Sequence, residues 1–396
     1  MSYVKSVSGS DYRFLVRGVM LYHTCPWLNL LNGPLMFKRR YVTLLPLFVL
    51  LAACSSKPKP TETDTTTGTP SGGFLLEPQH NVMQMGGDFA NNPNAQQFID
   101  KMVNKHGFDR QQLQEILSQA KRLDSVLRLM DNQAPTTSVK PPSGPNGAWL
   151  RYRKKFITPD NVQNGVVFWN QYEDALNRAW QVYGVPPEII VGIIGVETRW
   201  GRVMGKTRIL DALATLSFNY PRRAEYFSGE LETFLLVARD EQDDPLNLKG
   251  SFAGAMGYGQ FMPSSYKQYA VDFSGDGHIN LWDPVDAIGS VANYFKAHGW
   301  VKGDQVAVMA NGQAPGLPNG FKTKYSISQL AAAGLTPQQP LGNHQQASLL
   351  RLDVGTGYQY WYGLPNFYTI TRYNHSTHYA MAVWQLGLAV SQARMQ

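Results

Sequence analysis

The chain has 396 residues, 43% of them hydrophobic, which is ample for a folded core and excludes wholesale disorder. Its formal charge of +7 is concentrated at the start, where Lys5, Arg13, Arg17, Lys38, Arg39 and Arg40 face one acid, Asp11, and residues 54–396 keep only +2. No Lys/Arg stripe survives in that remainder, so nucleic acid is excluded as a partner.

Residues 36–53 begin Met-Phe-Lys-Arg-Arg, continue as an apolar run from Tyr41 to Ala53 and end in small residues, the layout of a secretory signal peptide. The run is shorter than the roughly 20 residues that a membrane-spanning helix needs. Leu51-Ala-Ala-Cys54 resembles a lipobox, which makes Cys54 the expected lipidation site and the anchor to a membrane. By resemblance to bacterial lipoproteins, Ser55 behind it points to the outer membrane, with the protein facing the periplasm. Residues 1–35 fit no signal layout and read as an extension upstream of Met36; whether Met1 or Met36 is the natural start stays open. Beyond Cys54 there is no cysteine, so neither thiolate nor disulfide chemistry is expected.

Residues 54–84 are rich in Ser, Thr, Pro and Gly and read as a polar tether. A helical region, 85–157, follows. Phe98, Ile99, Met102 and Val103 mark one apolar face, and Asp109 with Gln112 forms a capping-box pattern ahead of Leu113, Ile116, Leu117 and Ala120. The Pro/Gly/Ser-rich stretch 132–147 reads as a long connection. From Thr158 to Gly184 one amphipathic helix is expected, with Val167, Phe168, Tyr172, Leu176, Ala179 and Val182 inward. Pro186 and Pro187 open the next helix, which is apolar nearly all round and therefore buried. Further helices are expected at 222–239 and 285–298. Residues 303–370 read as a small β-rich subdomain, with strand-like runs at Gln305–Met309, Ala347–Val354 and Tyr358–Arg372. A closing helix, about Tyr379 to Gln392, lies in a last segment, 371–396, that returns to the core. The fold class is mainly α.

Glu197 ends the apolar helix Glu188-Ile-Ile-Val-Gly-Ile-Ile-Gly-Val-Glu197 and precedes Thr198-Arg-Trp-Gly201. A carboxyl beside so much apolar surface loses hydration, which disfavours its charged form and raises its pKa. A carboxylic acid still protonated near neutral pH is what protonating a glycosidic oxygen requires. A plain helix-end glutamate, satisfied by Arg199 or Arg202, is the alternative from position alone. Downstream, the Gly/Ala-rich segment from Ser251 to Tyr266 lets backbone amides approach a ligand, while Ser251 and Gln260 offer hydrogen bonds to hydroxyl or N-acetyl groups. It lacks the lysine and spacing of a phosphate loop.

Four motifs in order, Glu197-Thr-Arg-Trp-Gly-Arg, Gly257-Tyr-Gly-Gln-Phe-Met-Pro-Ser-Ser-Tyr, Val291-Ala-Asn-Tyr-Phe-Lys-Ala-His-Gly-Trp300 and Ile370-Thr-Arg-Tyr-Asn374, resemble the lysozyme-like lytic transglycosylases over most of residues 85–396. The resemblance implies a lysozyme-like helical catalytic core at 158–302, flanked by a helical domain and a small β-containing one. It implies cleavage of the β-1,4 bond between N-acetylmuramic acid and N-acetylglucosamine in peptidoglycan, with a 1,6-anhydro product, for cell-wall remodelling and turnover. Peptidoglycan glycan strands are the implied partner, together with cell-wall synthesis or hydrolase proteins. Glu197 falls on the catalytic acid/base. Ser251, Gln260, Tyr294, Tyr373, Asn374 and Tyr379 fall on cleft residues, and Arg222 and Arg223 on contacts to substrate or its peptide. Tyr294 in the core, and the two arginines on a solvated surface, are the plain alternatives. Endo or exo action, stem-peptide preference, oligomeric state and regulatory partners are not legible. A hydrolytic muramidase and an inactive peptidoglycan-binding scaffold stay open as rivals.

Residues 272–283 match an EF-hand loop: Asp272, Ser274 and Asp276 at positions one, three and five, Gly277 at the sharp turn, the His278 carbonyl at seven and Asp283 at the last position. A structural Ca²⁺ is expected there, and no organic cofactor.

Overall fold

The computed structural model describes residues 85–133 and 144–396; the expected signal peptide, the expected tether and Cys54, the expected lipidation site, lie outside the described residues. The amino-terminal helices are α1 (Pro93–His106), α2 (Arg110–Ser118), α3 (Asp124–Gln133) and α4 (Ala148–Arg153). Asn92 and Asp109 cap the first two through their side-chain oxygens, the latter accepting from the Gln112 amide at 2.8 Å, as the sequence pattern suggests.

The expected helix over 158–184 is two helices, α5 (Pro159–Gln171) and α6 (Glu173–Tyr183). Tyr172 leaves helical geometry at φ −116°, ψ 27°, and Glu173 and Asp174 then occupy a new first turn, where acidic side chains suit the positive end of the helix dipole. The break changes the helical phase. Phe168, Leu176 and Ala179 are buried as expected, whereas Val167 and Val182 are 53% and 59% exposed.

Next come α7 (Pro187–Thr198), β1 (Thr207–Arg208), α8 (Ile209–Asn219), α9 (Ala224–Asp240), β2 (Lys249–Gly250), α10 (Pro263–Tyr269) and α11 (Pro284–Ala297). The sheet segment holds β3 (Ala307–Asn311), β4 (Tyr325–Ser326), the short α12 (Ile327–Ala332), β5 (Thr336–Pro337), β6 (Gln346–Asp353) and β7 (Tyr358–Gly363). Its five antiparallel strands run in the order β4-β6-β7-β3-β5 around a separate small core of Leu330, Leu335, Leu349, Tyr360 and Tyr362. The expected strand Tyr358–Arg372 ends at Gly363. Pro365 then opens α13 (Pro365–Tyr373), because proline fits a helix's first turn and cannot donate to a ladder. The chain closes with α14 (Thr377–Arg394).

The main core centres on α7, whose Ile189, Ile190, Val191, Ile193 and Ile194 are buried on every side. The axis of α14 passes very close to it. A methyl group on Gly192 would collide with the Val383 carbonyl oxygen, and one on Gly387 with the Glu188 carbonyl oxygen. Small residues on both helices therefore set their spacing, and with it the distance between the end of α7 and the start of α14. Among the described residues no single helix is long and apolar enough to cross a membrane.

Candidate active site

Glu197 lies in the last turn of α7. The helix stops at once, because Arg199 (φ 51°), Trp200 (φ 57°) and Gly201 (φ 84°) are three consecutive left-handed residues. Two of them carry side chains, and such conformations persist only where the surroundings impose them. Here they do. Trp200 folds back so that its ring packs against Gly165 and Gly195 while its Nε1 donates to the Val191 carbonyl at 3.1 Å. Thr198 donates from Oγ1 to the Tyr258 carbonyl at 2.9 Å and accepts from the Gly201 amide at 3.1 Å. The end of α7 is thus tied directly to the Gly257–Tyr266 motif.

From α14, Tyr379 donates its hydroxyl to Glu197 Oε1 at 2.5 Å. Burial pushes the Glu197 carboxyl up to about 7, and the hydrogen bond from Tyr379, which favours the ionised form, holds it from rising further. Glu197 as a whole residue is half-buried. Two further phenols, Tyr152 on α4 and Tyr373 on α13, feel the Glu197 charge. Burial first, and the nearby carboxylate second, raise both above the ordinary tyrosine value. The sequence reading missed Tyr152, which follows a Pro/Gly-rich stretch and carries no motif; its only signal is an aromatic-rich Trp149-Leu-Arg-Tyr.

The remaining expected cleft residues are placed as follows. Tyr373 donates to the Gly259 carbonyl at 2.6 Å, linking α13 to the Gly-rich segment. Gln260 is left-handed (φ 52°) and spends Nε2 on the Gly257 and Met204 carbonyls, at 2.9 and 3.3 Å. Ser251 Oγ accepts from the amides of Ala253 and Ala255, so it shapes the turn ahead of that motif. Tyr294 is 8% exposed, meets Tyr373 edge-on with ring centres 4.8 Å apart and donates to the Arg372 carbonyl at 2.8 Å. It stands in the core behind Tyr373. Asn374 is exposed at the end of α13. Arg222 and Arg223 are also exposed, the first 3.8 Å from Asp131 and the second stacked 4.3 Å over the Tyr226 ring.

In the EF-hand-like loop, Gly275 and Gly277 take the left-handed conformation that its sharp turn requires, at φ 83° and 91°. Asp272 accepts from the Gly275 and Gly277 amides at 2.6 and 2.9 Å, which draws the turn around its carboxylate and lowers its pKa. Asp276 accepts from the His278 amide at 2.9 Å. The residue at the last position has a second task. Asp283 uses Oδ1 to cap α11, accepting from Val285 and Asp286 at 2.7 and 3.3 Å, since it stands at the N-cap of a helix opened by Pro284. Asp286, one turn later and buried, instead faces the loop and accepts from the amides of Phe273, Ser274 and Asn280 at 2.7–2.8 Å. Among the described residues, no three His, Cys, Asp or Glu side chains converge as a metal cluster. Asp272, Asp276 and Asp283, the three acids of the expected ligand set, therefore do not form such a cluster among the described residues.

A buried acid at the end of an apolar helix, hydrogen-bonded to a phenol and still protonated near neutral pH, has the state that a glycosidic-bond enzyme requires of its proton donor. Comparison with known proteins agrees. Residues 90–388 match the family model of the transglycosylase SLT domain, and the chain belongs to that family. It is similar to the membrane-bound lytic murein transglycosylase B of Escherichia coli (strain K12), with 99% identity over 361 residues that cover 91% of this chain and all of that one. The solved structures it resembles include the Escherichia coli lytic transglycosylase SLT35 in complex with bulgecin A, at 95% identity and a TM-score of 0.77. SLT35 in complex with calcium is similar at 94% identity and a TM-score of 0.77, and each of these structures spans 81% of this chain and 100% of its own.

Proposed function

We propose that Glu197 is the single acid/base of a lytic transglycosylase acting on peptidoglycan. The activity class is given by family membership and near-identity to a lytic murein transglycosylase: the chain is an enzyme that cleaves peptidoglycan. The site roles rest on one observation, a carboxyl held near pH 7 by burial with one oxygen engaged by Tyr379.

The chemistry follows from that state. With Tyr379 on Oε1, Oε2 carries the proton and gives it to the oxygen leaving C1 of the N-acetylmuramic acid residue. The C1–O bond breaks, and the 2-acetamido group of the same sugar stabilises the oxocarbenium ion that develops. Glu197, now ionised, removes the proton from the C6 hydroxyl, whose oxygen bonds to C1 and closes the 1,6-anhydro ring. Water is neither consumed nor released. The internal nucleophile prevails because its effective molarity is high. Tyr373, Tyr379, Ser251, Gln260 and Asn374 are assigned to the glycan cleft, with Tyr294 supporting Tyr373 from behind. Arg222 and Arg223 are assigned to the substrate's peptide.

The loop 272–283 is assigned a structural Ca²⁺, held by oxygens of Asp272, Ser274 and Asp276, by the His278 carbonyl and by Asp283, whose Oδ2 is not used in capping α11. Bound there, the ion supplies rigidity between the Gln260 turn and α11, and takes no part in proton transfer. Cys54 is the proposed lipid anchor to the outer membrane, facing the periplasm.

Mass spectrometry of muropeptides released from purified sacculi tests the reading. Anhydro products that Glu197→Gln no longer forms are expected. Products heavier by one water would make the enzyme a hydrolase, and undiminished turnover by Glu197→Gln would remove Glu197 from the chemistry.

A further inference from the structure

Asp353 ends β6, in the small sheet, and has no place in the mechanism above. Its carboxylate nevertheless makes a dense set of contacts with a distant part of the chain. Oδ2 accepts from the Asn146 amide at 2.8 Å, and Oδ1 accepts from Gly147 at 2.8 Å and from Gly355 at 2.9 Å. Although burial opposes it, the amides of Asn146, Gly355, Gly147 and Ala148 hold the carboxyl down at about 2, so it is ionised at every working pH. Both sides of the contact turn through a glycine and meet at ordinary van der Waals distance. Gly147 and Gly355 are left-handed, at φ 77° and 84°, and a Cβ on either would lie 3.6–3.8 Å from the other's Cα. Arg151 ties the same junction from within α4, donating to Asn146 Oδ1 at 3.1 Å.

The amides that Asp353 holds lead straight into α4, a helix of 6 residues. So short a helix has little stability of its own, and its orientation is set by what grips its ends. Its first turn carries Trp149, buried at 2% exposure, and its second carries Tyr152. Both rings pack on His378, with centres 5.6 and 5.5 Å apart. His378 precedes Tyr379, the phenol bonded to Glu197, and Tyr152 itself lies within reach of the Glu197 charge. A continuous path of contacts thus runs from the sheet to one wall of the catalytic cleft.

We propose that Asp353 is a positioning residue for the transglycosylase reaction: from the small sheet it fixes the entry of α4, and so sets Tyr152 and Trp149 against His378 beside Glu197. The small sheet then acts as part of the active-site scaffold. This rests on the reading of Glu197 as the acid/base.

The test compares Asp353→Asn, Tyr152→Phe and their double variant with the intact enzyme on purified glycan strands, following anhydro products. Asp353→Asn turns an amide donor toward backbone N–H groups. It is expected to lower kcat about tenfold, the size of effect that follows sub-ångström misplacement in a catalytic site, with a smaller change in KM. Because Asp353 acts through Tyr152, the double variant is expected to be little slower than the worse single one. Ser326→Ala, which removes the cap of α12 within the same sheet segment, serves as the stability control. It is expected to lower Tm without lowering kcat. Wild-type kcat in Asp353→Asn, strictly multiplicative losses in the double variant, or an equal kcat loss in Ser326→Ala would each overturn the proposal. Glu197→Gln is assayed alongside: if it stays active, the reading of the site fails. If it is inactive while Asp353→Asn is unimpaired, only the positioning role fails.

Discussion

Replacing Glu197 by Gln keeps the side chain's shape and leaves an oxygen to accept from Tyr379, but removes the ionisation. The wild-type carboxyl has a folded pKa of about 7 against an unfolded value of 4.5. The folded state therefore favours the protonated form. Below pH 4.5 both states are protonated and burial of the acid costs nothing extra. As pH rises from 4.5 through 7 the unfolded chain ionises first, and stability is lost. At about 1.4 kcal/mol per pKa unit, the full loss above pH 7 is about 3.5 kcal/mol. Because Glu197 as a whole is only half-buried, this is an upper value. Glu197→Gln escapes that penalty, so it is expected to melt several degrees above wild type at pH 8, with the gain shrinking toward zero at pH 4. In the same protein, turnover of glycan strands is expected to fall by at least about a thousandfold, because both proton transfers are lost. Calorimetry at the two pH values, with a product assay beside it, reads both effects. A variant no more stable than wild type at pH 8, or equally stabilised at pH 4 and pH 8, would refute the claim that burial holds the acid protonated.

Tyr379→Phe removes a hydrogen bond that favours the ionised carboxyl, so the alkaline limb of the pH–rate profile is expected to move up by about one unit from its wild-type position near 7. Gly387→Ala places a methyl group against the Glu188 carbonyl oxygen and forces α14 away from α7. A loss of roughly 2–3 kcal/mol in chemical denaturation is expected, with activity falling as Tyr379 withdraws. Glu232 holds Lys101, Lys105 and His106 between α1 and α9. Despite the opposing effect of burial these partners keep its carboxyl at about 2, so its stabilisation is complete above pH 4.5 and lost as pH falls toward 2. Glu232→Gln is expected to flatten the acid arm of a Tm–pH curve by roughly 1–2 kcal/mol, allowing for the exposed lysines. Chelation of Ca²⁺ from the purified enzyme is expected to lower Tm; an unchanged Tm would remove the structural role of the loop 272–283.

The sequence made some of this legible and hid the rest for identifiable reasons. Glu197 stood out because ten preceding residues are almost wholly apolar and a carboxyl at their end is chemically incongruous. The loop 272–283 stood out through its spacing, yet spacing cannot tell which of two aspartates faces inward. Pro284 makes Asp283 a helix cap, and Asp286 comes to face the loop only after one turn of α11. The single helix expected over 158–184 failed because apolar side chains recur across Tyr172, so periodicity alone carried no sign of the break. In residues 358–372 the alternating tyrosines suggest a longer strand, and Pro365 ends that pattern. The buried helix α8 shows almost no polar face, and so offers no period to detect. Tyr152 and Asp353 belong to the site only through long-range contacts.

A single carboxyl that must give a proton and then take one back has to be stable in both forms within one turnover. Exposed, with a pKa near 4.5, it would rarely hold the first proton at neutral pH; sealed without a hydrogen-bond donor, it would resist ionising for the second step. The close crossing of α7 and α14 supplies burial and donor together, because the glycines that bring the helices into contact also bring Tyr379 to Oε1. Retaining glycosidases of the ordinary kind set a second carboxylate about 5 Å from the first, and like charge at that distance would add to the upward push on Glu197. Among the described residues, burial raises Glu197 and Tyr379 lowers it, with no second carboxylate contributing. On the proposed reading of Glu197 as the single acid/base, the nucleophile's role falls to the substrate, and a muramyl sugar carries a suitable one in its own C6 hydroxyl.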